Sequence, residues 1–230
     1  MTATIGQSME FNELIRVIAV SAVPVIFAIT LHEAAHGYVA RHFGDTTAYV
    51  LGRVSLNPVR HIDLVGTIFL PLVMLFVSGG RIMFGWAKPV PVNFNALRDP
   101  KRDMLWVAIA GPAANLAMAV AWAAALKVAT LTSLRGDDFL IQVPSAGISI
   151  NLVFMALNLL PILPLDGGRI VVSLLPRQLA WSFSRLEPYG LPILLGLVFI
   201  SSYGYNVLGL LLNPIMNASM SVIGTIFQLS

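Results

Sequence analysis

An apolar run from about residue 13 to about residue 41 carries His32-Glu33-Ala34-Ala35-His36 near its end. The run is long enough to cross a hydrocarbon core of roughly 30 Å, even with Pro24 inside it. Three ionisable side chains in such a span are expensive, and a chain keeps them there for a functional reason. The spacing supplies one. On an α-helix, positions i and i+4 lie about 40° apart and about 6 Å along the axis, so two imidazoles converge on one ion. Glu33 projects beside them, placed to take a proton from water. The bland alternative is that His32 and His36 only hydrogen-bond to neighbouring helices.

The rest of the chain agrees with a bilayer as its solvent. It is 57% hydrophobic and 11% charged, where soluble domains carry about 25% charged residues. A soluble fold of 230 residues could not hide this much apolar surface. The expected fold class is an all-α polytopic membrane protein. It should have about five to six transmembrane helices and a short membrane-embedded extended or re-entrant segment. There is no cysteine, so a metal site here must use His, Asp or Glu. The Lys and Arg residues are scattered and form no dense run, which speaks against nucleic acid as a partner. The N-terminus lacks a positive n-region and is expected to stay in the mature protein.

Further apolar runs cover about residues 62–77, 103–131, 146–163 and 189–212, with a last apolar stretch at 214–229 that is either a span or an interfacial helix. Between them, GWAKPVPVN at 85–93 alternates and carries prolines, which suits an extended edge segment. The connector 169–187 has room for a short helix. Loops are too short for an inserted soluble domain. Residues 1–230 therefore read as one membrane domain, with a core at about 13–170 and C-terminal helices at 188–230.

A catalytic zinc site takes three protein ligands and leaves a position open. His42 lies six residues past His36, about 240° around a continued helix, and faces away. His61 sits in a polar loop and is expected to meet solvent. Asp166 is the better third ligand. It follows an apolar run and is flanked by Pro161, Pro164, Gly167 and Gly168, which break the helix and let backbone approach a ligand. The bland reading of Asp166 is an N-cap for the next short helix. Zn²⁺ with an ionised Asp and an ionised Glu sums to zero charge, which makes the set far cheaper to bury than its members.

HEAAHGYVARHFGD at 32–45, GWAKPVPVN at 85–93, GPAAN at 111–115 and NLLPILPLDGGR at 158–169 resemble the site-2 proteases, the intramembrane zinc metalloproteases. The resemblance covers about residues 20–170, with four motifs in the family's order. It implies one zinc ion per chain, held by His32, His36 and Asp166, with Glu33 as general base. It implies that Asn158 holds the substrate or its oxyanion, with Asn115 a weaker candidate for similar work. It implies that the strand containing Pro89, Val90, Pro91, Val92 and Asn93 pairs with an unwound substrate, a transmembrane segment of another membrane protein. The chain departs from the pattern in having Pro164-Leu165 before the aspartate, and it reads as a small minimal member without a PDZ domain.

If His36 and Asp166 both end their helices at one ion, those helices run in the same direction and the helix between them runs oppositely. Segment 62–80 is then a re-entrant hairpin bent at Pro71 or a span whose return is made by 85–93. The loops on the metal side carry eleven of the 14 Lys and Arg residues, leaving Arg16, Lys127 and Arg135 on the other. By the positive-inside rule the metal faces the cytoplasm, and the expected location is a bacterial inner membrane. Two rivals are a metal or ion transporter, whose path would carry several ligand sets, and a non-proteolytic membrane scaffold.

Overall fold

The computed structural model describes residues 11–70, 73, 76, 85, 87–132 and 138–229. It is 79% helical, and no strand occurs among the described residues. The helices are α1 (Phe11–His42), α2 (Thr47–Val50), α3 (Pro100–Thr130), α4 (Phe139–Asn158), α5 (Asp166–Leu174), α6 (Arg177–Ser184), α7 (Glu187–Ile200) and α8 (Val207–Phe227). Four of them, α1, α3, α4 and α8, are long and apolar enough to cross a membrane. A fifth span results if α6 and the helix at Glu187–Tyr205, bent by 59° from it, are one unit. The choice between a span and a hairpin at 62–80 lies largely outside the described residues.

Side-chain partners fix the helix directions. On α1, His32 meets Asn115 of α3 and His36 meets the carbonyl of Val107. Numbers rise on one helix as they fall on the other, so the two are antiparallel. Asn115 also reaches Asn151 of α4, while Gly147 of α4 lies against the Trp122 ring. Helices α3 and α4 are therefore antiparallel, and α1 and α4 run together. Helix α8 packs Leu212 by Ala156 and Leu160, and Ile223 by Ala119, Ala123 and Ile148. Small residues at these contacts let apolar helices approach closely where lipid offers no hydrophobic drive. The bundle is inside-out in polarity. Asn115 and Asn151 are fully buried, whereas Ile18, Phe27, Val128, Leu210 and Ile226 face outward.

Several boundaries differ from the sequence reading, each for a local reason. Helix α4 begins at Phe139, seven residues before the expected start at 146. Pro144 lies close enough to the N-terminus to cost only one intrahelical bond, that to Leu140. The same helix stops at Asn158, so Asp166 does not end it. Asp166 is instead the first residue of α5, across a turn at 159–165. The run expected at 189–212 is broken, because Gly204 (φ 99°) and Asn206 (φ 42°) take left-handed backbone between α7 and α8. His61, expected to meet solvent, is buried, with Nε2 on the Ser55 carbonyl at 2.9 Å.

Segment 87–93 is extended but pairs with no strand among the described residues. Pro89 and Pro91 have no N–H to give a ladder. The available donors go elsewhere: Lys88 N–H to the His61 carbonyl (2.9 Å), Val90 N–H to Glu33 Oε2 (2.7 Å), and Asn93 N–H to Asp45 Oδ2 (2.7 Å). Asp45, fully buried after the end of α1, also accepts from Thr47 N–H at 2.9 Å. It thus clamps this strap to the end of α1. Asp45→Ala takes the acceptor from two part-buried donors and should cost about 1–3 kcal/mol. A lower melting temperature of the detergent-purified chain, against an unchanged melting of a surface control, checks this.

Candidate metal centre

Each ligand histidine is held by its far nitrogen. His32 Nδ1 lies 2.6 Å from Asn115 Oδ1, and His36 Nδ1 lies 2.7 Å from the Val107 carbonyl. Both partners are acceptors, so each Nδ1 donates and each neutral ring presents its Nε2 lone pair forward. The two Nε2 atoms are 3.0 Å apart, with the rings nearly perpendicular at 83°. Asp166 closes the group, with Oδ2 3.2 Å from His32 Nε2 and Oδ1 3.3 Å from His36 Nε2. All three residues are buried.

Two lone pairs and a carboxylate facing one another in an apolar interior repel unless a cation lies between them. Asp166 Oδ2 is buried with no hydrogen-bond donor among the described residues. Ligands about 2.0–2.2 Å from a tetrahedral zinc sit roughly 3.3 Å from each other, close to the spacings here. The donor set, two imidazoles and a carboxylate, fits a zinc ion with one position left over. Asp166 caps nothing: the residue before α5 is Leu165, and no side chain bonds the helix start. Asp166 is thus not the N-cap of α5.

Room for the cluster comes from Gly111. A Cβ there would collide with His36 Nε2 and would fall 2.6 Å from His32 Nε2. The glycine is required by close approach, since α3 passes directly behind the ligand nitrogens. Gly111 and Asn115 are one helical turn apart on the same face. One keeps space for the imidazoles and the other orients one of them.

The other sequence candidates fall in different places. Glu33 is half-buried beside His32, with Oε2 taken by Val90 N–H. Asn115 does not face open space, as a substrate contact would need to. It is fully buried, and its amide donates to the Ala28 carbonyl (3.2 Å) and Asn151 Oδ1 (3.1 Å) while accepting from His32. It is a support of the ligand. Asn158 donates to the Phe154 carbonyl in its own helix at 3.0 Å and is not joined to the metal group. Of residues 89–93, Val90 touches Glu33 and the Asn93 backbone touches Asp45, while Val92 packs near Ala40 and Val107. The sequence reading missed Gly111 and Asn151. The signal for Asn151 was an amide inside an otherwise apolar span. For Gly111 it was the i, i+4 offset from Asn115.

A buried His-His-Asp donor set, with both imidazoles on a helix long and apolar enough to cross a membrane, is a candidate metal centre of a membrane protein. Similarity to known proteins then places it. The chain is 37% identical over 214 residues to "Putative zinc metalloprotease YwhC" of Bacillus subtilis, covering 90% of this chain and 91% of that one. It is 33% identical over 146 residues to "Putative zinc metalloprotease Rip2" of Mycobacterium tuberculosis, covering 62% of this chain and 52% of the relative. With "Putative zinc metalloprotease Rip3" of the same species it shares 29% identity over 157 residues, which is 31% of that relative. No family model matches the chain, and no solved structure matches it. The chain belongs to the site-2 protease-like zinc metalloproteases.

Two substitutions test the cradle. Gly111→Ala should abolish stoichiometric zinc binding while the helices remain, as metal analysis and circular dichroism of the purified chain will report. Asn115→Leu removes the acceptor behind His32 and should weaken zinc by about 10–100-fold, measured by competition with a chromophoric chelator.

Proposed function

We propose that the chain is an intramembrane zinc endopeptidase, which hydrolyses a peptide bond in or beside a transmembrane segment of a membrane-protein substrate. The observation that carries this reading is Glu33. It sits between the two histidines in sequence, beside the centre in space, and carries an extended backbone segment on its carboxylate. When bound by His32, His36 and Asp166, one zinc per chain supplies Lewis acidity and makes water able to lose a proton near neutral pH.

Glu33 takes that proton and hands it to the leaving amine. Val90 N–H holds Oε2 and leaves the other oxygen for this work. Asn158 gives a hydrogen bond to the developing oxyanion, a role worth about 3–4 kcal/mol. To do so its amide exchanges the bond it now makes to Phe154. The substrate reaches the centre unwound, since helical backbone hides its carbonyls. Residues Pro89–Asn93 offer an extended edge for it, and backbone pairing fits a site that must accept many side chains. The excess of Lys and Arg at the metal end supports a centre toward the cytoplasm. Among the described residues the metal donors form a single group, which favours an enzyme over a translocation path with several.

Glu33→Gln should retain zinc and lower cleavage by about 10²–10⁴-fold. In cells carrying that variant, membrane proteomics should show a single-span protein accumulating uncleaved. Full proteolysis by the variant would sink the proposal.

A further inference from the structure

At the metal end of the bundle, but outside the centre, Arg53, Arg60 and Lys88 line one cavity of about 460 Å³. That size lies within the range of small-ligand sites. The charge around it is one-sided. From residue 46 to residue 98 the chain has a single acid, Asp63. Its Oδ1 is used on Val65 N–H (3.0 Å) and Gly66 N–H (2.7 Å), capping the turn at Leu64–Phe69. Asp45, the nearest acid before this stretch, is consumed by the strap.

The three cations differ in how they are held. Arg53 Nη2 donates to the carbonyls of Lys88 (2.9 Å) and Pro89 (3.3 Å), while its Nε is buried without an acceptor. Arg60 Nη1 donates to the Gly52 carbonyl. Lys88 is exposed and has no side-chain partner among the described residues. The guanidiniums are therefore fixed in place by carbonyls, which leave their charge uncompensated. The rim has a second character: Val50, Leu51 and Val59, on the same cavity, are 78%, 61% and 68% exposed. Fixed cations edged by outward apolar side chains match a molecule with an anionic head and an apolar body.

We propose that this cavity binds the phosphate of an anionic membrane lipid, with Arg53, Arg60 and Lys88 as its anion ligands. The site does not depend on the peptidase reading. It is tied to the strap, because Arg53 holds the carbonyls of the two residues directly before Val90. An occupied cavity steadies the strap that lies on Glu33.

The test uses the zinc-loaded full chain in neutral detergent at low salt, with melting temperature followed against three additives. These are short-chain phosphatidylglycerol, short-chain phosphatidylcholine and inorganic phosphate. Phosphatidylglycerol should raise the melting temperature saturably, and phosphatidylcholine at the same concentration should not. Lys88→Gln should weaken the phosphatidylglycerol response about fivefold, and Lys88→Gln with Arg60→Gln about 25-fold, as expected for one and two charges. Lys88→Gln carries little risk to folding, and zinc content with an unchanged melting temperature in the absence of lipid confirms it. Equal responses to the two lipids, or a double variant that binds phosphatidylglycerol as the parent does, overturns the site. Protection by inorganic phosphate without protection by phosphatidylglycerol overturns the lipid source and retains the phosphate ligand set.

Discussion

Everything in this bundle is arranged around a repulsion. Two imidazole lone pairs 3.0 Å apart face a carboxylate in an apolar interior. Left alone, that cluster would cost several kcal/mol. A divalent cation reverses the sign of each contact, which suits the group to a metal. The supporting residues make the reversal specific. Asn115 and the Val107 carbonyl fix both histidines with Nε2 forward. Asn151 then satisfies the amide of Asn115, and donates onward to the Gly147 carbonyl at 2.8 Å. Buried polar groups that are all paired rigidify a core, whereas a half-satisfied network would loosen it.

This network also orders the helices. Helices α1, α3 and α4 each give one amide or imidazole to the chain from His32 through Asn115 to Asn151. Apolar helices in lipid have little preference among register positions, because one Leu or Ala face resembles another. A hydrogen bond between named side chains does select a register. Gly147 against the Trp122 ring and Gly111 against the imidazoles then let the backbones close to the distance the bonds need. The polar network sets the alignment and the small residues permit it.

The centre was more legible in the sequence than its surroundings. His32, Glu33 and His36 declare themselves through helical spacing, and Asp166 through the prolines and glycines around it. The direction of α1 against α4 followed from placing both ligands at one ion, and the contacts of α3 agree with it. That direction holds although Asp166 lies beyond α4, because the turn at 159–165 returns Asp166 to the same end of α4. What sequence reasoning lost were features that depend on partners far along the chain. The burial of His61 rests on Ser55 and the strap, and the strap's extended form rests on Glu33 and Asp45. Helix boundaries at Pro144 and at Gly204 were misjudged because proline and glycine were weighed by type, when their position within a helix decides the cost.

The strap at 87–93 links the surface to the chemistry. Its N–H groups are held at three points, by the His61 carbonyl, Glu33 and Asp45, its carbonyls at Lys88 and Pro89 are held by Arg53, and no strand among the described residues pairs with it. Val90 N–H is spent on Glu33. A hydrogen bond to one carboxylate oxygen fixes the orientation of the group. Glu33 is therefore oriented by a segment that is itself oriented by Arg53 and Asp45, two residues set beyond the end of α1. The consequence is a division of labour within one element. Helix α1 carries His32, Glu33 and His36, and the chain just past its end, folding back over it, decides how the Glu33 carboxylate is oriented.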